Sequence, residues 1–210
     1  TLITIAVGEL AANCYLFYDQ ESLDCAIIDP GDSGDFISEQ ILRQKLKPQF
    51  IMLTHGHFDH CLASLELQLN FNIPIFLNPL DNFLYQNAAK SAGHFTSNTA
   101  LKLPPSIPPD LTLTKKFFSL IPTPGHTPGS VCLYSPPFLF TGDTLFDDDI
   151  GRTDMSYSNR SDIQNSLLSL SKLPPDTIIY PGHGPTSALK QSLLLASTHT
   201  NFSTPFQKPL

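Results

Sequence analysis

Residues 54–60 read THGHFDH and place three of the chain's seven histidines, together with an aspartate, within a short segment. Imidazole is the commonest metal ligand among side chains, and carboxylate is a frequent partner for it. One histidine near a strand end is usually hydrogen-bonded scaffolding, whereas a dense cluster is typical of a metal centre. The segment therefore predicts a metal site that uses His55, His57, Asp59 and His60.

Three further segments end a strand-like run with glycine beside a possible ligand. They read TPGHTPGS with His126, FTGDTLF with Asp143, and YPGHGP with His183. Glycine permits positive φ and close backbone approach, which a tight ligand-presenting loop needs. Side chains just beyond a strand end are held by the sheet and remain open to solvent. His94 and His199 lack this combination, so we interpret them as ordinary loop and tail histidines.

The elements that must position these residues are short strands mixed with helices. Strands are predicted at LITIAV, CYLFY, CAIID, QFIML, IPIFL, KFFSLI, VCLYS, FLFTG and TIIYPG. Helices are predicted over residues 33–46, 61–70, 79–90, 161–171 and 187–197, with Ser33 or Asp35 as the cap of the first. Such an order favours two sheets packed face to face with helices outside. We expect one domain over residues 1–210.

Composition excludes several classes of partner. The net charge of −7 and the lack of a basic stripe disfavour binding to nucleic acid. Apolar runs fall short of the ~18 residues that a membrane span needs, and the first residues lack a secretion-signal pattern. The four cysteines are far apart, as expected for reduced thiols. We therefore expect a cytoplasmic protein with a small-molecule substrate.

The ordered motifs H-x-H-x-D-H, G-H-T-P-G, G-D-T-L-F and P-G-H-G resemble those of the metallo-β-lactamase superfamily over nearly the whole chain. The resemblance implies an α+β fold, a four-layer αββα sandwich, with a two-metal site at one edge of the sheets. By position, it implies that one metal binds His55, His57 and His126, that the other binds Asp59, His60 and His183, and that Asp143 bridges them.

The ligand types agree with this implied centre. Histidine and carboxylate ligands suit Zn²⁺, Fe²⁺ or Mn²⁺, and we expect two divalent ions, with zinc favoured. Two ions that share a water lower its pKa towards ~7, so a metal-bridging hydroxide is the expected nucleophile. Asp59 and Asp143 are the expected catalytic carboxylates. The site would stay cationic within an acidic protein.

Three features narrow the implied function. Antibiotic hydrolysis is disfavoured because Asp143 stands where β-lactamases of the family usually carry cysteine. Nuclease branches fit poorly because the chain shows neither an inserted domain nor a basic patch. The segments GDTLF…IGRTD and YPGHGP are similar to short glyoxalase II-type enzymes, the hydroxyacylglutathione hydrolase-like thioesterases. We therefore expect hydrolysis of a small thioester such as S-(2-hydroxyacyl)glutathione.

Several residues depart from the family pattern or have two interpretations. Asp147, Asp148 and Asp149 are interpreted as a solvated turn rather than a cleft lining, and Cys61 as a core thiol rather than a reactive one. Arg152 and Asp154 form either a structural salt bridge or a substrate contact. Tyr85, Phe95 and the loop over residues 91–109 are candidates for a lid over the cleft.

Two alternative functions remain open at this point. A persulfide dioxygenase shares H-x-H-x-D-H and GRTD but uses one iron held by two histidines and one aspartate, and PGHGP weighs against it. A non-catalytic metal-bound scaffold is the second, and the complete ligand set weighs against that.

Overall fold

The computed structural model describes residues 1–94 and 102–200, without the side chains of residues 94, 199 and 200. The predictions made for Phe95, and for the side chains of His94 and His199, lie outside this described part. By their internal contacts the residues form two compact units, Thr1–Phe117 and Phe118–Leu210. The expectation of one domain over residues 1–210 therefore stays a prediction.

The first unit is built on a five-stranded mixed sheet. Its strands are Leu2–Val7 (β1), Ala12–Tyr18 (β2), Asp24–Ile28 (β3), Lys47–Met52 (β4) and Ile75–Phe76 (β5), in that spatial order. β1, β2 and β3 pair antiparallel, and β4 and β5 continue the sheet in parallel. The end of β4 is fully buried at Phe50, Ile51 and Met52, which fixes the backbone that leads into THGHFDH.

Short helices connect these strands. They are Gly34–Arg43 (α1), Ser64–Phe71 (α2), Asn82–Gln86 (α3), Ala88–Ser91 (α4) and Leu111–Thr114 (α5), with 3₁₀ turns at Phe58–His60, Pro79–Asp81 and Ala92–His94. Ser33 occupies the N-cap position of α1, as predicted, but its side chain makes no capping bond. Its backbone is left-handed, and its hydroxyl donates to Asp32 and accepts no bond from a helix N–H. Asp35 lies inside the first turn and accepts from the N–H of Phe36.

The second unit holds another five-stranded mixed sheet. Its strands are Ser119–Pro122 (β6), Val131–Ser135 (β7), Phe138–Gly142 (β8), Ile178–Pro181 (β9) and Ser187–Ala188 (β10), in the spatial order β10-β9-β8-β7-β6. Helix Arg160–Leu170 (α6) joins the parallel strands β8 and β9, and helix Leu189–Thr200 (α7) follows β10. Asn159 caps α6 through bonds from the N–H groups of Ser161 and Asp162.

Both units share one topology, although the sequence shows no repeat. Each has three consecutive antiparallel strands, then a connection containing a helix, then a parallel strand. The predicted ligands all follow the carboxyl ends of strands: the THGHFDH segment follows β4, and His126, Asp143 and His183 follow β6, β8 and β9. The sheets thus place these side chains just beyond strand ends, as predicted. Contrary to the expectation that they remain open to solvent, His55, His60 and His126 are buried.

None of the helices formed by the described residues has the length and apolar character needed to cross a membrane.

Candidate metal centre

The first half-site consists of His55, His57, Asp59 and His60 in the first unit. Nε2 of His55 lies 3.0 Å from Nδ1 of His57, and their ring centroids are 4.7 Å apart. The chain then turns into the 3₁₀ segment Phe58–His60, where Nε2 of His60 lies 3.7 Å from Oδ2 of Asp59. The close spacing of the motif thus becomes a close cluster of nitrogen and oxygen atoms.

A buried carboxylate behind this half-site orients two of its histidines. Asp29 directly follows β3, and its Oδ2 lies 3.1 Å from Nδ1 of His60. Asp29 also accepts two bonds from Thr54, from the N–H at 2.7 Å and from the hydroxyl at 2.6 Å. Oγ1 of Thr54 in turn lies 3.1 Å from Nδ1 of His55. Asp29 and Thr54 therefore link the rings of His55 and His60 in one buried network.

The network determines which ring nitrogen carries the proton. The carboxylate of Asp29 only accepts, so Nδ1 of His60 is the donor and Nε2 holds the lone pair. The Thr54 hydroxyl already donates to Asp29, so Nδ1 of His55 donates to Thr54 and its Nε2 also holds a lone pair. Both rings are therefore set for ligation through Nε2, the arrangement that supporting groups produce around metal-bound histidine.

A glycine lets the loop that carries Asp29 approach the ligand segment closely. Cβ built on Gly31 would overlap the backbone carbonyl oxygen of Asp59. The N–H of Ala63 donates to the carbonyl of Pro30 at 3.1 Å, which fastens the same two segments together. A side chain at position 31 would push the loop away and pull Asp29 from His60.

The second half-site consists of His126, Asp143 and His183 in the second unit. Oδ2 of Asp143 lies 3.5 Å from Nε2 of His126, and its Oδ1 lies 3.9 Å from Nε2 of His183. Each carboxylate oxygen thus faces a different histidine. The ring of Phe146 packs near the ring of His183, with centroids 6.3 Å apart. This arrangement allows Asp143 to contact two cations at once.

The GRTD segment supports this second half-site through its backbone. Nδ1 of His126 lies 3.0 Å from the carbonyl oxygen of Arg152. A carbonyl only accepts, so Nδ1 donates and Nε2 of His126 holds the lone pair. Cβ built on Gly151 would overlap the carbonyl oxygen of Asp143 and lie 3.0 Å from Cγ of His126. Only glycine therefore lets this segment reach the histidine.

The donor chemistry of both half-sites fits metal ions. Three histidines carry their ring proton on the nitrogen that faces an oxygen acceptor, which directs a basic Nε2 towards the neighbouring ligands. At 3.0 Å, the facing nitrogens of His55 and His57 would both be attracted by one cation. Nitrogen and carboxylate donors without thiolate suit Zn²⁺, Fe²⁺ and Mn²⁺ alike, so the ligands do not select among them.

The three aspartates Asp147, Asp148 and Asp149 lie in a turn that follows Asp143 of the second half-site. The backbone N–H of Phe146 donates to the carbonyl of Asp149 at 2.8 Å, which closes a turn over the three aspartates, and Asp148 and Asp149 are exposed. Asp147 is half-buried and faces Gly184. The prediction of a solvated turn is thus correct for Asp148 and Asp149, whereas Asp147 is half-buried.

Cys61 is a buried core residue, as predicted. Burial, and then the nearby carboxylates of Asp59 and Asp29, raise the pKa of its thiol well above the ordinary value. It therefore stays protonated at neutral pH. Because the thiolate is the reactive form, Cys61 is not a nucleophile.

Arg152 and Asp154 form an exposed two-point ion pair, with distances of 2.7 and 2.8 Å. The side chain of Arg152 holds the pKa of Asp154 at about 2. Tyr85 is buried in the core of the first unit, and its hydroxyl donates to the carbonyl of Pro104 at 3.0 Å. The expectation that Tyr85 covers the cleft is therefore wrong, because this side chain fastens the segment around Pro104 to α3.

A sequence model of the metallo-beta-lactamase superfamily matches residues 7–183, which include all seven predicted ligands. The chain belongs to the metallo-β-lactamase superfamily. It is a metal-dependent hydrolase of that superfamily, as predicted. The predicted α+β fold of the metallo-β-lactamase type is likewise confirmed.

Individual members of the superfamily resemble the whole chain. The hydroxyacylglutathione hydrolase GloC of Haemophilus influenzae is 32% identical over 200 residues, which cover 89% of this chain and 92% of that protein. The structure of TTHA1623 in a di-iron-bound form is 33% identical, with a TM-score of 0.81, and the match covers 98% of this chain and 100% of the other. The structure of the BLEG-1 B3 metallo-β-lactamase is 31% identical, with a TM-score of 0.82, and covers 96% and 99%.

Sequence reasoning missed the supporting residues Asp29, Thr54 and the carbonyl of Arg152. A signal for the first two was present, because polar residues directly follow the buried runs CAII and IML. A buried acid at a strand end needs hydrogen-bond partners, and the adjacent histidine motif offered them. The carbonyl of Arg152 left no signal, because backbone atoms carry no sequence information.

Proposed function

We propose that the chain is a dinuclear metal-dependent hydrolase that cleaves small thioesters, of the type S-(2-hydroxyacyl)glutathione. The observation that carries this proposal is the placement of Asp143. Its two oxygens face different histidines, His126 and His183, at 3.5 and 3.9 Å. A carboxylate so placed is suited to bridge two cations, which a mononuclear site does not require.

In this proposal the two half-sites act together. His55, His57 and His126 would hold one divalent ion, Asp59, His60 and His183 would hold the other, and Asp143 would be shared between them. The orientation of the His55, His60 and His126 rings supports this assignment, because each presents Nε2 as the basic nitrogen. Zinc suits the donor set, and the di-iron form of the similar protein TTHA1623 supports iron equally.

The reaction itself needs little beyond such a centre. When bound, a pair of divalent ions lowers the pKa of a shared water and stabilises negative charge on a carbonyl oxygen. The carboxylates of Asp59 and Asp143 orient that water and accept its proton. Water adds to the thioester carbonyl, the carbon–sulfur bond breaks, and a carboxylic acid and a thiol result.

A thioester suits the residues of this chain better than an ester or amide does. A thiol has a pKa near 8.5, so its thiolate departs without a dedicated general acid. An amine leaving group would need a proton donor placed beside it. The similarity to the hydroxyacylglutathione hydrolase of Haemophilus influenzae, 32% identical over 200 residues, also favours a thioester.

The test is a substrate panel on protein whose metal content has been measured. The panel holds S-lactoylglutathione, an acetyl thioester, a phosphodiester, a lactone and glutathione persulfide, with oxygen uptake recorded for the last. A β-lactam is included because of the similarity to BLEG-1. We expect about two metal ions per chain and thiol release without oxygen. One iron per chain with oxygen uptake would establish the persulfide dioxygenase instead, and inactivity towards every substrate would establish the metal-bound scaffold.

A matched pair of variants connects activity with the bridge. Asp143→Asn keeps the shape of the side chain but removes its charge, and we expect kcat to fall at least ~10³-fold. Asp148→Asn makes the same change at an exposed position of the nearby turn and should alter kcat less than ~3-fold. Equal rates for the two variants would refute the proposed role of Asp143.

A further inference from the structure

A small cavity opens beside Asp59 in the first unit. Its volume is about 40 Å³, and it lies between the β1–β2 turn, the loop after β3 and the 3₁₀ segment that carries Asp59. Apolar and acidic side chains line it, among them Glu9, Leu10, Asp32, Phe58, Asp59 and Leu62. Because Asp59 is one of the proposed metal ligands, a group bound in this cavity would lie next to the reacting centre.

The walls of the cavity are held in place by close backbone packing. Cβ built on Gly8 would lie 3.2 Å from Cβ of Asp32, so the first turn rests against the loop after β3. Gly31 packs against the carbonyl of Asp59 on the opposite side. Two walls of the cavity therefore depend on close approach at a glycine, and the side chains of Leu10, Phe58 and Leu62 complete its lining.

The size of the cavity limits what it can hold. One water molecule needs about 10 to 15 Å³ of such a cavity. A volume of about 40 Å³ therefore has room for roughly three water-sized groups. This space suits a chain of about two to four carbon atoms. A tripeptide thiol such as glutathione is far larger, so the cavity suits the acyl half of a thioester and not the thiol half.

The lining also limits the charge and polarity of the group that the cavity can bind. Leu10, Phe58 and Leu62 give it apolar walls, and Leu10 is 41% exposed at the turn. Apolar walls with a few polar groups are typical of small-molecule sites. Among the described lining residues, the two charged groups besides Asp59 are Glu9 and Asp32, both carboxylates. They disfavour an anionic group and can accept a bond from a hydroxyl.

We propose that this cavity binds the acyl group of the substrate and selects short, uncharged acyl chains, including 2-hydroxyacyl, over long or carboxylate-bearing ones. The proposal rests on the proposed thioester hydrolysis and adds the acyl class. Glu9 is the specificity-determining charge, since it lines the cavity and is exposed on the β1–β2 turn. Leu10 limits chain length at the mouth.

The experiment holds the thiol constant and varies the acyl group. The substrates are S-acyl-N-acetylcysteamine thioesters carrying acetyl, 2-hydroxypropanoyl, butanoyl, octanoyl and succinyl groups, hydrolysed by the metal-loaded full chain. We expect kcat/KM for butanoyl to exceed that for octanoyl and for succinyl at least tenfold at low ionic strength. The succinyl difference should shrink as salt is added, because the Debye length falls from ~30 Å at 0.01 M to ~8 Å at 0.15 M.

Variants assign the selection to particular residues. Glu9→Gln should lower the butanoyl-to-succinyl ratio of kcat/KM at least threefold, mainly by lowering KM for the succinyl thioester. Glu39→Gln removes the same charge from an exposed position on α1 and should leave the ratio unchanged. Leu10→Ala should raise the relative rate for octanoyl at least threefold while butanoyl hydrolysis persists.

The outcomes separate the two proposals. If succinyl and octanoyl thioesters react as fast as butanoyl and Glu9→Gln changes no ratio, the acyl cavity is refuted and thioester hydrolysis stands. If no thioester in the series is cleaved, the proposed function falls and the acyl assignment falls with it.

Discussion

Oδ2 of Asp29 lies 3.1 Å from Nδ1 of His60, and both side chains are buried. The carboxylate also accepts both the N–H and the hydroxyl of Thr54. Its role is to hold the ring of His60 and, through Thr54, the ring of His55. Such supporting groups typically change metal affinity by 10- to 100-fold.

Asp29→Asn should therefore weaken metal binding without unfolding the chain. Asn tolerates the left-handed backbone that Asp29 adopts, at φ 49°. The amide is uncharged and supports Nδ1–H of His60 less strongly, so we expect the metal affinity to fall ~10- to 100-fold. Competition with a chelator, followed by measurement of bound metal, gives the affinity.

Asp24→Asn is the matched control, because Asp24 begins the same strand and accepts from Nε2 of Gln49 at 3.1 Å. It should leave metal affinity unchanged within ~2-fold. If Asp29→Asn binds both ions as tightly as this control, the supporting role of Asp29 is wrong.

The GRTD segment should respond to backbone changes far more than to side-chain changes. Gly151→Ala places Cβ against the carbonyl of Asp143, so the segment must move away and the bond from His126 to the carbonyl of Arg152 is lost. We expect kcat/KM for the best thioester to fall at least ~100-fold, with less metal bound after dialysis.

Arg152→Ala serves as the comparison within the same segment. Its side chain is 66% exposed and pairs with the similarly exposed Asp154, while the carbonyl that supports His126 remains. Exposed ion pairs contribute little to stability, so activity should stay within ~3-fold of the wild type. A loss as large as that of Gly151→Ala would instead indicate that the guanidinium contacts substrate.

The ligand-bearing segments could be predicted from the sequence because their signals are local. THGHFDH follows a buried strand, and each of His126, Asp143 and His183 stands beside a glycine after another strand. Short-range spacing, strand periodicity and residue type carry this information. The strands β1 to β9 and most helices are predicted for the same reason. Two predictions are wrong in detail: Ser187 and Ala188, predicted to begin a helix, form strand β10, and helix α2 begins at Ser64, three residues after its predicted start.

The sequence marks Asp29 and Thr54 as buried polar residues at strand ends, but the partners of the supporting contacts could not be predicted, because the contacts join distant parts of the chain. Asp29 and His60 are 31 positions apart, and His126 meets the carbonyl of Arg152 across 26 positions. Tyr85 was expected to cover the cleft, but its side chain is buried in the first unit and its hydroxyl donates to the carbonyl of Pro104. Such pairings follow from how loops pack, which residue types alone do not determine.

The four cysteines should be inert in the folded protein. All are buried. Burial raises the pKa of Cys25 to about 12 and that of Cys132 to about 11, and raises the pKa of Cys14 and Cys61 well above the ordinary value. Thiolate forms only as pH rises towards the pKa, so at pH 8 nearly all four are protonated.

A thiol-reactive disulfide reagent should therefore modify fewer than one thiol per folded chain at pH 8, and four after denaturation. Activity should survive the treatment of the folded protein. Rapid modification of one cysteine, with loss of activity, would reveal a reactive thiol and would contradict the assignment of Cys61 to the core.

Metal loading should stabilise the fold, because the proposed ligands come from segments after four different strands. A ligand that binds only the folded state adds about 2.7 kcal/mol at one hundred times its Kd. For a chain of this size, each kcal/mol raises Tm by roughly 2 to 4 °C, so Zn²⁺ should raise Tm of the metal-free protein by roughly 5 to 10 °C. Mg²⁺ prefers oxygen ligands and water, and at the same concentration should raise Tm by less than ~1 °C.

Asp143→Asn should lose at least half of the zinc-induced rise in Tm, because in the proposed centre Asp143 is a ligand of both ions. A full zinc shift in Asp143→Asn, or an equal shift with Mg²⁺, would mean that the stabilising ion binds elsewhere on the chain.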